Sequence, residues 1–119
     1  MAYPTGPTNH ELRLLLAQLE PEARKSPFWR RIAEELNRPS RRRRTVNIYK
    51  IDRYALDGET VIVPGKVLSV GELQKKVDIA AISFSTAAKE KIARARGRAL
   101  SIQQLLQENP QGKKVRILG

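Results

Sequence analysis

The chain has 119 residues, 40% of them apolar, and its 23 Lys and Arg residues against 12 Asp and Glu residues give a formal net charge of +11. This length and apolar content fit one compact domain with a modest core and exclude a disordered chain, while the charge predicts a polyanionic partner, above all nucleic acid. With no cysteine and a single histidine, thiolate and histidine metal sites are excluded.

Two amphipathic helices are predicted first along the chain. Thr8 and Glu11 have capping-box spacing, and a leucine face follows until Pro21. Ser26 and Pro27 form a helix start, after which a second apolar face repeats until residues 37–39. The two predicted apolar faces consist of Leu12, Leu15, Leu16 and Leu19, and of Trp29, Ile32, Ala33 and Leu36.

A third helix is predicted after the arginine-rich segment RPSRRRRTVN at residues 38–47. Either Thr45 or Asn47 can cap it, Ile48, Ile51 and Ala55 share one face, and residues 57–58 end it. Residues 8–56 are therefore predicted to form a helical N-terminal part.

Beyond Gly58 the pattern changes to short extended segments that alternate with helices. Strands are predicted at residues 60–63, ending at Pro64 and Gly65, and at residues 77–82 and 115–118. The segment Ser83-Phe-Ser85 is predicted to cap one helix, which ends before Gly97, and Ser101 to cap another, which ends at Asn109-Pro110. The fold class is therefore α/β, a single domain over residues 1–119 with its α/β core at residues 57–119.

The chain lacks the signatures of catalysis and of membrane insertion. Its carboxylates have no spacing that converges on a metal ion, and there is no glycine-rich phosphate loop. Its apolar stretches fall far short of the ~20 residues that span a bilayer, and the N-terminus MAYPTGPTN does not resemble a signal peptide. We therefore expect a soluble cytoplasmic protein without catalytic residues, metal or cofactor.

Most of the charge lies in one quarter of the chain. Residues 24–53 hold eleven basic and three acidic residues, an excess of eight out of the net +11. Arginine favours phosphate, because its planar fork of donors fits two phosphate oxygens and stacks on bases. A solvated or localisation-type basic segment is the plainer interpretation. The candidate RNA-binding residues are Arg30, Arg31, Arg38, Arg41, Arg42, Arg43, Arg44, Asn47, Lys50, Arg53, Lys66, Lys75 and Lys76.

Several of these residues, and some of their neighbours, have two interpretations. Trp29, Tyr49 and Tyr54 are candidates for base stacking, although helical spacing favours a core position for Trp29. Asn47 is a candidate for capping or for RNA contact. Lys66 is expected on a turn, either in contact with RNA or merely exposed. The pairs 75–76 and 113–114 are either secondary phosphate contacts or solvating charge.

A family resemblance rests on an ordered series of residues along nearly the whole chain. The series comprises Thr8-Asn9, Trp29 with Ala33 and Leu36, the Arg38-Pro-Ser-Arg-Arg41 turn, Val46-Asn47, Ile51 with Arg53-Tyr54, the segment ETVIVPGKVL at 59–68, Gly71-Glu-Leu73, Val77, Ala80-Ala81, Phe84-Ser85, Lys91-Ile92, and Asn109-Pro110 before Val115-Arg116. The sequence resembles the archaeal and eukaryotic large-subunit ribosomal protein L18e family, in the superfamily of bacterial ribosomal protein L15. The run of four arginines departs from the family pattern.

The resemblance implies a non-catalytic structural component of the large ribosomal subunit. Its partners would be large-subunit ribosomal RNA and neighbouring ribosomal proteins, and its fold a small core of irregular β-β-α turns with a helical N-terminal region.

The competing interpretation is a DNA-binding or chromatin module. The first two helices, separated by six residues in the predicted layout, resemble a helix-turn-helix with a basic arm. Against it, that connector is longer than a tight turn, and the face of Trp29, Ile32 and Leu36 suits burial better than a major groove.

Overall fold

The computed structural model of the protein describes residues 9–37 and 44–118. Its helices are α1 (Asn9–Lys25), α2 (Pro27–Leu36), α3 (Ile48–Tyr54), α4 (Thr86–Arg94) and α5 (Ile102–Glu108). Its strands are β1 (Arg44–Asn47), β2 (Thr60–Leu68), β3 (Asp78–Phe84), β4 (Ala99–Ser101) and β5 (Val115–Ile117). The predicted α/β class is confirmed.

The strands form one parallel sheet organised around β2. On one side β2 pairs with β3, which pairs with β4. Its other side is shared by two strands, since residues 60–62 pair with β5 and residues 65–68 pair with β1. Strands β5 and β1 therefore lie one after the other along the same edge of β2. The start of β1 is close to residue 118, whose N–H donates to Ile62 O.

Alternation along the strands divides the core between the two faces of the sheet. Val61 and Val63 belong to one apolar cluster and Ile62 to the other. The first cluster includes Ile51 of α3 and Ile92 of α4. The second includes residues of α1, α2 and α5. Helices therefore cover both faces, as expected for a parallel sheet.

Strand β2 does not end at Pro64 and Gly65, as the sequence suggests, but continues to Leu68. A shift in the β2–β3 register between Val63 and Lys66 accommodates the two residues. Such a bulge leaves a residue outside the regular ladder, which suits a proline that has no N–H to donate. Lys66 consequently lies in a strand and not on the predicted turn.

The N-terminal helices agree with the sequence except at one end. Helix α1 continues through Pro21 to Lys25. A proline removes one helical hydrogen bond, but the last turn is kept by bonds such as Ser26 N–H to Glu22 O, 2.8 Å. The predicted α2 start is confirmed, since Ser26 Oγ accepts from Trp29 N–H. Thr8, the predicted cap of α1, lies outside the described residues.

Two short strands were not predicted. Arg44–Asn47 forms β1 within the segment expected to be helical, and its Val46 is fully buried. Helix α3 therefore starts after Asn47, one of the two predicted caps, and ends at Tyr54, earlier than expected. The other strand, β4, has three residues and is held by its register with Ile79, Ala80 and Ala81 of β3.

Candidate nucleic-acid interface

Helix α2 presents Arg30 and Arg31 on its exposed side. The helix is fixed by its Ser26 cap and by burial of Trp29 and Ile32, both fully shielded from solvent. Arg30 Nε donates to Ala23 O of α1 at 3.3 Å. The two guanidinium groups are thus carried by a rigid element, and among the described residues neither has a carboxylate partner.

The arginine segment connects α2 to β1. Arg38, Arg41, Arg42 and Arg43 lie outside the described residues, as does the side chain of Arg44. Both flanks of the segment are anchored. Before it, Asn37 N–H donates to Ala33 O at the end of α2. After it, the backbone of Arg44 is in register with Gly65 of β2. The structure therefore places the two ends of the segment on the protein core.

Lys66 lies in the middle of the sheet and not at its periphery. It is in register with Thr45 of β1 on one side and with Ser83 of β3 on the other. Its side chain is half-buried and forms no ion pair within the described part of the chain. The residue of β1 that lies directly beside Lys66 is thus Thr45, whereas the backbone of Arg44 lies beside Gly65.

Asn47 has a structural role that differs from the predicted capping by its side chain. It occupies the cap position of α3 but makes no capping hydrogen bond with its side chain. Its Oδ1 instead accepts from Val70 N–H at 3.3 Å. The side-chain oxygen therefore holds the loop after β2 against the start of α3.

Helix α3 carries Lys50 and Arg53 on its outer face, together with two tyrosines. Tyr49 and Tyr54 are 53% and 49% exposed, whereas Trp29 is completely buried. The preference for a core position of Trp29 is confirmed, and the other two aromatic side chains remain accessible. The guanidinium carbon of Arg53 lies 5.6 Å from the centroid of the Tyr54 ring, within the range of a cation–π contact.

The neighbouring lysines 75 and 76 have different environments. Lys75 Nζ donates to Asp52 O at 2.5 Å and to Ala55 O at 2.8 Å, so it satisfies carbonyl groups at the end of α3. Lys76 is exposed, and its backbone N–H donates to Asp57 Oδ1. Of the two, Lys76 has an ammonium group with no internal acceptor among the described residues.

Some basic residues elsewhere in the described part of the chain are paired with carboxylates. Arg98 bonds to both Asp78 and Glu108, and Arg116 Nε lies 2.7 Å from Glu59 Oε1. The hydrogen bonds that Arg116 donates lower the pKa of Glu59, and those that Arg98 donates to Glu108 and Asp78 raise the pKa of Arg98. The other pairs within the described ranges are Arg24–Glu20, Lys91–Glu72 and Arg94–Glu90. Within residues 9–37 and 44–118, Arg30 and Arg31 of α2 and Lys50 and Arg53 of α3 have no ion pair, and the same holds for cations on other elements, such as Arg13, Lys89 and Arg96.

Two residues that position this surface were not recognised as functional from the sequence. Lys91 Nζ donates to Ser69 O and Gly71 O at 2.7 and 2.6 Å, which ties α4 to the loop after β2. Gly71 has a φ of +100° and lies directly against Tyr49. The only local signal for either residue was the glycine itself, since the contacts join residues twenty or more positions apart.

Across residues 9–37 and 44–118, no cluster of three or more His, Asp or Glu side chains is placed to hold a metal ion. In the same ranges no helix has both the length and the apolar character needed to cross a membrane.

A parallel α/β fold that carries many unpaired lysines and arginines, two of them on the same helix as two exposed tyrosines, defines a small basic protein with a surface suited to a polyanion. Residues 8–119 match the family model described as ribosomal protein 60S L18 and 50S L18e. The chain belongs to this ribosomal protein L18e family, as its sequence resemblance indicated.

Individual relatives match over almost their whole length. A protein of Sulfurisphaera tokodaii is 45% identical over 114 residues, which cover 96% of this chain and 95% of the relative. One from Methanopyrus kandleri is 47% identical, covering 97% and 96%. One from Methanoregula boonei is 48% identical, covering 96% and 93%. All three are named large ribosomal subunit protein eL18.

Proposed function

We propose that this protein is a non-catalytic structural constituent of the large ribosomal subunit, where it binds and stabilises large-subunit ribosomal RNA in the cytoplasm. The observation that carries this proposal is the match to L18e relatives across nearly the full length of both chains. The proposal includes contact with neighbouring ribosomal proteins. It is supported by the name of the relatives, which places them in the same subunit.

The charge distribution supports RNA as the ligand. Each phosphate neutralised by Lys or Arg releases counterions, so a cluster of uncompensated cations gives favourable binding to crowded phosphates. Arg30 and Arg31 precede the arginine segment, and Lys50 and Arg53 follow it. The elements on either side of the segment, α2 and β1, both belong to the folded core.

The same geometry weakens the DNA-binding alternative. The predicted six-residue connector between the first two helices is wrong, because only Ser26 separates α1 from α2. A helix-turn-helix uses a turn of about 3–4 residues, so one residue is too short. Helix α2 also packs on β2 through Trp29, Ile32 and Leu36, and its exposed side carries the acidic Glu34 beside the arginines.

The test is incorporation into ribosomes. A tagged copy of the full chain, expressed in cells of one of the organisms above, is followed through sucrose gradients at high salt. The expected result is co-sedimentation of the tagged chain with large subunits, since contacts to folded RNA from several elements should survive a wash that removes loosely bound basic proteins. Recovery of the tagged chain only at the top of the gradient, or with DNA, would contradict the proposal.

A further inference from the structure

The exposed face of α3 combines aromatic and basic groups. Ile48 and Ile51 are fully buried, so the helix is fixed on the core by one side. The opposite side consists of Tyr49, Lys50, Arg53 and Tyr54. In a helix these positions form two i,i+4 pairs, Tyr49 with Arg53 and Lys50 with Tyr54, so each tyrosine has a cation as its neighbour.

The position of Tyr49 is determined by the loop after β2. Tyr49 N–H donates to Val70 O at 2.9 Å, and Gly71 approaches so closely that a Cβ there would overlap Tyr49 Cβ. Lys91 Nζ donates hydrogen bonds to the carbonyl groups of Ser69 and Gly71 in this loop. At the other end of α3, Lys75 holds those of Asp52 and Ala55. The helix that carries the tyrosines is therefore held in place by hydrogen bonds at both ends, and it needs no rearrangement to bind a ligand.

The nearby carboxylates are already engaged. Asp52 Oδ1 accepts from Gln74 N–H at 3.0 Å, and Asp57 Oδ1 accepts from Lys76 N–H at 2.7 Å. Neither contacts Lys50 or Arg53, which have no acidic partner in the described part of the chain. The two cations of the face thus have no ion pair within the described residues, and an anionic partner complements their charge.

We propose that the face formed by Tyr49, Lys50, Arg53 and Tyr54 binds unpaired nucleotides of RNA, with bases stacked on the two tyrosine rings and phosphates contacted by the two cations. Aromatic rings beside cations suit unpaired bases, because a splayed base offers a π-face and a nearby phosphate, whereas bases inside a duplex are covered by their neighbours. This assignment rests on the proposed function and specifies which kind of RNA element this face contacts.

The test uses the full chain and an oligoadenylate of about ten nucleotides, within the site sizes known for single-strand binding. Replacing both tyrosines (Tyr49→Leu with Tyr54→Leu) should weaken oligoadenylate binding about tenfold or more, because the bases lose their stacking partners. The double phenylalanine variant keeps the rings and should bind as the wild type does. Leu14→Ala, which alters a side chain 53% exposed on α1, serves as the surface control.

Salt dependence separates stacking from charge. The double leucine variant should keep the wild-type slope of log affinity against log salt, whereas Lys50→Gln with Arg53→Gln should lower that slope by ~1.4 if both contact phosphates. A second measurement needs no variant: the ring protons of Tyr49 and Tyr54 should shift in NMR spectra on addition of oligoadenylate, with the remaining tyrosine, Tyr3, as the internal reference.

Three outcomes overturn the assignment and leave the proposed function intact. They are oligoadenylate binding unchanged in the double leucine variant, ring protons that do not move, or equal affinity for oligoadenylate and its duplex with oligouridylate, each in a protein that still binds large-subunit RNA. A face that covers a neighbouring protein would give the first two results. Loss of all ribosomal RNA binding in the wild type would instead contradict the proposed function itself.

Discussion

The backbone of Gly71 lies directly against Tyr49, so a Cβ at residue 71 would overlap the Cβ of that tyrosine. The glycine also has a φ of +100°, a conformation that other residues adopt only at a cost. This contact joins the loop after β2 to the start of α3 and determines where the tyrosine ring stands.

We expect Gly71→Ala to lower the free energy of unfolding by about 2–4 kcal/mol, since backbone strain and steric overlap add. Gly58→Ala is the matched control. Gly58 has a φ of +83° but open space around it. Gly58→Ala should therefore lower the free energy of unfolding only by the cost of the backbone conformation, about 1–2 kcal/mol. Chemical denaturation of both variants measures the difference. Equal losses would show that the loop moves away from Tyr49 at little cost.

Lys75 and Lys76 provide a second matched pair. Lys75→Met should lower the free energy of unfolding by about 1–2 kcal/mol, because the carbonyl groups of Asp52 and Ala55 lose a charged donor. Lys76→Met, at an exposed position, should stay within ~0.5 kcal/mol. For RNA binding Lys76→Met should have the larger effect. It alone should lower the slope of log affinity against log salt, by ~0.7–0.9. An equal slope change for both would mean that Lys75 leaves its internal partners to bind RNA.

The Arg116–Glu59 pair predicts a pH-dependent contribution to stability. Hydrogen bonds from Arg116 hold the pKa of Glu59 below its ordinary value of 4.5 in the folded protein. A carboxyl with a lowered folded-state pKa stabilises the fold above its unfolded-state pKa, and this contribution is lost as the pH falls through the folded-state value. Arg116→Gln should therefore be less stable than the wild type at pH 7, and the difference should shrink as the pH falls below 4.5.

Urea denaturation at a series of pH values measures this difference. Arg24→Gln is the control, because its partner Glu20 is 62% exposed in a pair on the surface of α1, where ion pairs contribute little. A difference between wild type and Arg116→Gln that stays constant from pH 7 to well below 4.5 would contradict the prediction.

The features that the sequence predicted are local ones. Helices α2, α4 and α5 begin at Ser26, Ser85 and Ser101, each of which accepts the expected backbone hydrogen bond. A cap and its helix lie within a few residues of each other, so spacing alone identifies them. The long-range features escaped prediction. Strands β1 and β4 are three or four residues long and exist because β2 and β3 lie beside them.

In the candidate site, too, the local features were visible in the sequence and the long-range ones were not. The high density of basic residues in residues 24–53 is visible in the sequence, as is the identity of the tyrosines. The sequence does not show which cations are free of internal partners. Lys75 and Lys76 are neighbours, but only Lys75 reaches the carbonyl groups of α3. Arg98 has Asp78 and Glu108 beside it, whereas Arg53 has no carboxylate partner among the described residues. Pairing across the fold decides which charges remain for a ligand.

Discrimination between RNA and DNA tests the proposed ligand. The protein should bind structured large-subunit ribosomal RNA more tightly than duplex DNA of equal length at physiological salt, because 2′-hydroxyl groups and an irregular backbone offer contacts that B-form DNA lacks. Competition between the two nucleic acids for the full chain measures the preference. Equal affinity for both would favour the chromatin alternative.

The last prediction concerns the four consecutive arginines at residues 41–44. Replacing all four with glutamine should weaken RNA binding for every sequence tested, because phosphate contacts carry no sequence information. Consecutive side chains diverge, so we expect two or three of them to contact phosphate and the salt slope to fall by about 1.5–2.5. Among single variants, Arg41→Gln should have a larger effect than Arg43→Gln or Arg44→Gln, because Arg41 adjoins the Arg-Pro-Ser turn that resembles the family.

Circular dichroism should show the quadruple variant folded, since the apolar clusters lie on α1 to α5 and the sheet and do not depend on exposed charges. A double variant of Arg24 and Arg94, also to glutamine, is the control: both side chains are about as exposed as surface arginines can be, at 75% and 74%, but each is paired with a carboxylate. This double variant should change the slope of log affinity against log salt little. A quadruple variant with unchanged affinity and slope would show that the arginine segment is solvated, and would move the RNA-binding surface to Lys66, Lys76 and α3.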